Sequence, residues 1–169
     1  MSITMHSASA PIFLRTFSAM LVWLDKAQAH AEARKFDPNN YLTLRLAPDM
    51  LPFTRQIQIA TDGVKGCMAR LAGQEVPKWD DTEATLDDLR ARIRKAMAYV
   101  ESFSAAQIDG SEDKEILLPT RQAEPMRFTG ESYLKHFVLP NFFFHATTTY
   151  ALLRHGGVDL GKRDYLGAA

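Results

Sequence analysis

Between Glu131 and His155, apolar side chains would wrap every side of a helix: Tyr133, Leu134, Phe137, Val138, Leu139, Phe142, Phe143, Phe144, Tyr150, Leu152 and Leu153. A helix that is hydrophobic all round is buried all round. The chain has 169 residues, enough for one compact domain and short for two. Within that size, such a helix belongs in a bundle. Either it lies centrally, or a second copy of the chain covers its outer side; the second arrangement is preferred, so a homodimer is expected. Pro140 sits inside this segment and should kink it, because proline lacks a backbone donor and its ring clashes with the preceding turn.

Three further segments carry helical periodicity. Phe13, Phe17, Met20, Leu24, Ala27 and Ala31 recur at alternating spacings of four and three, after Ser7, Ser9 and Pro11, residues that suit a helix start. Met50, Phe53, Ile57, Ala60, Val64, Cys67 and Leu71 keep the same rhythm, with Gly73 placed to close the helix. Gly63 and Gly66 interrupt it. Each costs about 1 kcal/mol relative to alanine, and glycines there mark close approach of a neighbouring helix or a ligand. The third segment runs from about Thr82 to Phe103, with Leu86, Leu89, Ile93, Ala96, Val100 and Phe103 on one face. Its opposite face, Asp87, Asp88, Arg90, Arg92, Arg94 and Lys95, reads as solvated.

The connections limit the topology. Residues between Gly73 and Thr82 favour extended backbone around Pro77. About ten to twelve such residues reach roughly 35–40 Å, the length of a 25-residue helix at about 1.5 Å per residue. Helices two and three are thus able to run in the same direction. In the long connection from Ser104 to Gly130, Glu115–Leu118 and Met126–Phe128 are able to pair as a short hairpin. The tail from Gly156 reads as irregular, and whether Lys162 to Tyr165 form a lid over the bundle mouth is open. The fold class is therefore all-α, a four-helix bundle with a short β-hairpin between helices three and four, and residues 1–169 form one domain.

Twenty basic residues balance twenty acidic ones, so neither nucleic acid nor an anionic membrane is expected as a partner. No stretch approaches the roughly 18 apolar residues that cross a bilayer. Met1 to Ala10 lack the basic and apolar regions of a secretory signal. The single cysteine, Cys67, allows no internal disulfide and falls on the apolar line of helix two, where it reads as core. A cytoplasmic location is the expectation.

The chain has no phosphate-binding glycine loop, no serine elbow and no His-Glu-x-x-His motif. Candidate chemistry concentrates in Asn141 and His145, four apart and thus on one helix face, among aromatic residues. An unpaired buried polar group costs about 1–3 kcal/mol, so either the two satisfy each other or a backbone group, or they line a pocket where His145 is a ligand or proton carrier. Arg55, Gln58 and Asp62 lie beside the apolar seam of helix two. They are either flank residues or the mouth of the same pocket. His30 reads as solvent-facing and His155 as helix-terminal.

The run His145-Ala146-Thr147-Thr148-Thr149-Tyr150-Ala151-Leu152-Leu153-Arg154-His155-Gly156-Gly157 resembles the last helix of the DinB/YfiT-like superfamily of metal-binding four-helix bundles. Pro48-Asp49-Met50, Arg55 to Ala60, Leu139-Pro140-Asn141-Phe142 and Leu160 to Asp164 are similar to one bacterial family within it, a domain of unknown function. The resemblance spans essentially the whole chain and implies an up-down-down-up bundle that forms dimers. It also implies a metal site with one histidine from helix two and a His-x-x-x-His pair from helix four. Here those positions fall at or near Gln58 and on Asn141 and His145, so only His145 survives as a ligand. No cofactor is expected, and zinc or nickel is disfavoured because amides replace two of three nitrogen ligands. Three functions follow: a small-ligand-binding protein with a degenerate metal site lined by Gln58, Asp62, Asn141 and His145; a metal-dependent thiol transferase or isomerase; or a non-catalytic dimeric interaction protein.

Overall fold

A computed structural model describes residues 3–120 and 124–167. Its main elements are α1 (Ala10–Arg34), α2 (Phe53–Ala72), α3 (Leu86–Glu101), a short α4 (Ala105–Ile108), strands β1 (Glu115–Leu118) and β2 (Met126–Thr129), α5 (Leu139–His155) and a short α6 (Lys162–Leu166). The expected hairpin forms, with Glu115 opposite Thr129 and Leu118 opposite Met126.

Local chemistry sets the helix ends. Pro11 occupies the first turn of α1, and Lys35 closes it with φ 59°. Gly73 closes α2 in the same left-handed conformation, at φ 71°. α3 begins at Leu86 rather than near Thr82, because Thr85 and Asp88 cap it reciprocally. Thr85 Oγ1 accepts from the Asp88 N–H at 3.1 Å, and Asp88 Oδ2 accepts from the Thr85 N–H at 2.9 Å. This satisfies donors that the first helical turn leaves unpaired.

Contacts along the rods give their directions. Phe13 and Phe17 meet Phe142, and Trp23 meets Tyr150, so α1 and α5 are parallel. Thr61 meets Arg92, and Lys65 shares the Trp79 ring with Lys95, so α2 and α3 are also parallel. Gln56 meets His145 and Arg70 meets Tyr133, which sets α2 antiparallel to the last helical rod. The bundle is up-down-down-up. Its centre is aromatic: Phe142 makes T-shaped contacts with Phe13 and Phe17, with ring centres 5.1 and 5.4 Å apart, an arrangement that the ring quadrupoles favour.

The crossover between α2 and α3 is tied down by charge. Arg92 donates to Thr61 Oγ1 at 2.8 Å, to the Asp80 carbonyl at 3.1 Å and to Glu83 at 2.8 Å. It also pairs with Asp62 and Asp81, each at 3.0 Å. Arg90 turns toward α1, reaching Asp25 and the Leu24 carbonyl at 3.0 Å. The polar face of α3 is therefore not uniformly solvated: Arg90 and Arg92 are buried under α1 and the crossover.

The last rod is not α-helical throughout. After one turn at Gly130–Ser132 it widens to a π-helix over Tyr133–Val138 before α5 begins. The Leu139 N–H bonds the Leu134 carbonyl, five residues back. Pro140 has no N–H to offer the residue four places earlier, and its ring would strike that carbonyl. A wide turn just ahead of it relieves both problems. The rod is also not buried on every side, since Phe143 and Phe144 remain 36% and 55% exposed.

The tail is irregular only from Gly156 to Gly161. α6 packs on α1, stacking Tyr165 on Trp23 with ring centres 5.6 Å apart. The Trp23 indole donates to the Asp164 carbonyl at 3.0 Å. His30 likewise turns inward, its Nδ1 2.6 Å from the Tyr41 hydroxyl. Cys67 is fully buried, and burial pushes its thiol pKa well up. No helix among the described residues is long and apolar enough to cross a membrane.

Candidate functional site

His145 is buried at the seam of α2 and α5, and its partner is Gln56 rather than Gln58. Pro52 enters α2 in extended form, and the Leu51 carbonyl accepts from Gln56 Nε2 at 2.8 Å. That bond orients the amide, so Gln56 Oε1 faces His145 Nδ1 at 2.7 Å. A carbonyl oxygen only accepts, so Nδ1 carries the hydrogen and Nε2 keeps its lone pair in the neutral ring. Burial depresses the His145 pKa below the ordinary imidazole range, since the interior disfavours the charged form. The Phe144 ring packs at a right angle to the imidazole, with centres 5.2 Å apart.

One helical turn away, Asn141 faces Gly63. A methyl group placed on Gly63 would lie 3.6 Å from Asn141 Nδ2. Among the described residues the Asn141 carboxamide makes no hydrogen bond. It borders a cavity of about 330 Å³ between α2 and the last rod, whose walls include Ile59, Asp62, Arg70, Tyr133, Phe137 and Leu118. At the far end Arg70 Nη1 donates to the Tyr133 hydroxyl at 3.0 Å. Burial raises the Tyr133 pKa to about 12, outweighing the lowering effect of Arg70, so the phenol stays protonated.

The four residues singled out in the sequence are thus divided. Asn141 and Asp62 share the cavity, and His145 sits one turn beyond it. Gln58 faces the crossover, accepting from Arg55 at 2.7 Å and donating to Glu83 at 2.6 Å. Burial works against the charge on Glu83, but hydrogen bonds from Arg92 and Gln58 win, holding its pKa below the usual carboxylate range. Asp62 is neutralised by Lys65 at 2.7 Å and Arg92 at 3.0 Å. Gln56, Arg70 and Tyr133 complete the picture without having been singled out. Gln56 carried a readable signal: it lies three residues after Phe53 and four before Ala60, on the buried stripe.

These residues do not fit a resident zinc or nickel ion. Among the described residues no three His, Cys, Asp or Glu side chains converge. His145 is a single imidazole with one nitrogen committed to the Gln56 amide. Transition metals in bundles are held by three or four stronger donors.

Comparison with known proteins agrees with this architecture. Residues 5–166 match the family described as Domain of unknown function (DUF1993). The crystal structure of a DinB family member protein from Shewanella denitrificans superposes with a TM-score of 0.89 at 40% identity, covering 97% of this chain and 92% of that one. Among curated proteins none matches. The chain belongs to the DUF1993 family, a domain of unknown function within the DinB-like superfamily.

Proposed function

We propose that this protein binds a small molecule in the groove between α2 and the last helical rod, at a site that has lost its metal. The observation that carries this reading is the cavity of about 330 Å³ with an unpartnered Asn141 carboxamide on its wall. That volume is at the lower end of small-ligand sites, which pair apolar walls with a few placed polar groups. Asn141 offers both a donor and an acceptor there. A thermal-shift screen against a library of small metabolites tests the reading. At least one compound should raise the melting temperature of the wild type and lose that effect in Asn141→Leu. A screen in which every hit acts equally on Asn141→Leu would overturn it.

A catalytic reading draws support from His145 alone. Its Nδ1 is held by Gln56 while Nε2 is left basic, as an oriented general base requires. Under that reading His145→Gln abolishes turnover of the bound compound; undiminished turnover rejects it.

A homodimer belongs to the same proposal, supported by the exposed Phe143 and Phe144 on α5. Sedimentation at micromolar concentration should find dimers, which Phe144→Ser weakens; monomers throughout would reject the interface. A cytoplasmic location, supported by the single buried cysteine, is checked by cell fractionation, and recovery outside the cytoplasm would reject it.

A further inference from the structure

The groove contains a cation that no carboxylate among the described residues neutralises. Lys65, Arg90 and Arg92 all pair with carboxylates. Arg70, half-buried on the cavity wall, has no carboxylate partner among the described residues, and its hydrogen bond goes to the uncharged Tyr133 hydroxyl. The guanidinium folds back one turn over Gly66, where a Cβ would collide with Nη1. A helix-weakening glycine thus leaves room for this one charged head.

We infer that the ligand carries a carboxylate seated on Arg70 and Tyr133, with an apolar tail running along the groove toward Asn141. This rests on the groove being a binding site, as proposed above. Arg70 has several N–H groups beyond the one given to Tyr133, and the phenol that accepts from Arg70 still has its own hydrogen to donate. Donors from a planar guanidinium and a hydroxyl converge as a carboxylate requires. The walls beyond are apolar, formed by Ile59, Phe137, Val138 and Leu118. The Arg70 head lies over Gly66, three residues of α2 from Gly63, or about 4.5 Å at the α-helical rise, a length that suits a short tail of about three or four carbons. Polarity fixes the orientation. Asp62 stands at the Asn141 end, already compensated by Lys65 and Arg92, and offers a second carboxylate no attraction.

Calorimetric titration of the full chain at neutral pH with pentanoate, pentanamide and pentylammonium tests this. Pentanoate should bind at least about tenfold more tightly than pentanamide, a difference of about 1.4 kcal/mol, with pentylammonium weakest. In Arg70→Gln the preference for pentanoate over pentanamide should vanish, and Tyr133→Phe should lose part of it. Equal affinities of the wild type for pentanoate and pentanamide would overturn the inference, whether or not Arg70→Gln folds. So would an unchanged ratio in that variant, or no binding by any of the three. A neutral compound that binds in an Asn141-dependent way, without carboxylate preference, overturns the role of Arg70 and leaves the groove as a binding site.

Discussion

Gln56 and His145 satisfy each other in a water-poor seam, which makes a double-mutant cycle decisive. Gln56 is 1% exposed and His145 7%, and their bond spans 2.7 Å. In Gln56→Leu, the His145 Nδ1–H loses its acceptor inside the protein, a cost of about 1–3 kcal/mol. The Leu51 carbonyl also loses a donor, but Leu51 is 46% exposed, so water can replace it for little. The expected net destabilisation is about 2 kcal/mol. His145→Leu leaves Gln56 Oε1 without its donor and should cost a similar amount, about 2 kcal/mol. With both changes, no polar atom of the pair remains unmet and two apolar side chains meet instead. The double variant should then lie within about 1 kcal/mol of wild type, a coupling of about 3 kcal/mol, at the top of the range for contacting pairs. Urea unfolding followed by circular dichroism reads this directly. With a slope of about 2 kcal/mol per molar, each single variant shifts the midpoint by about 1 M, and the double by half that or less. If the single costs simply add in the double variant, the pair does not hold itself in place and the reasoning fails.

Two other outcomes follow from the same seam. Gly63→Ala should raise the melting temperature by roughly 2–3 °C, since a helix-interior alanine gains up to about 1 kcal/mol over glycine and its methyl would sit at an ordinary 3.6 Å from Asn141; a lower melting temperature would mean that the helices close more tightly there than this spacing allows. The depressed pKa of His145 means the unfolded chain takes up a proton first on acidification, so its contribution to stability is full above the unfolded value near 6.5 and is lost as pH falls from there through the folded value. Unfolding free energies measured across that window should lose this slope in the Gln56→Leu/His145→Leu variant, and an unchanged slope would assign the effect to another group.

Much of the bundle is readable because burial imposes periodicity. The lines from Phe13 to Ala31 and from Phe53 to Leu71 lie in the core, and the hairpin forms where its short apolar runs fall. What fails is the meaning of charge. Arg90 and Arg92 occupy the polar face of α3, and periodicity cannot distinguish a solvated arginine from one covered by a crossover that passes over it. The candidate site fails for a related reason. Gln58 and Gln56 differ by two places, which turns a side chain about 200° around the helix, so nearness in sequence says little about which amide meets His145. Arg70 was hidden too, since the cavity that gives it significance is made jointly with Tyr133 and Leu118 from distant parts of the chain. The tail escaped because α6 is a single short helix whose order comes from Trp23, not from its own pattern.

The wide turn over Tyr133–Val138 holds one residue more than an α-helical ladder of the same height would. Substitutions within it leave the phase of the rod intact, whereas removing a single residue would swing everything before it by about 100° relative to α5. Asn141 and His145 would keep their places, while Tyr133 would leave Arg70 and the hairpin would turn with it. The two ends of the groove are therefore geared by length: insertions and deletions, rather than exchanges of side chains, are the mutational steps that would redraw its shape.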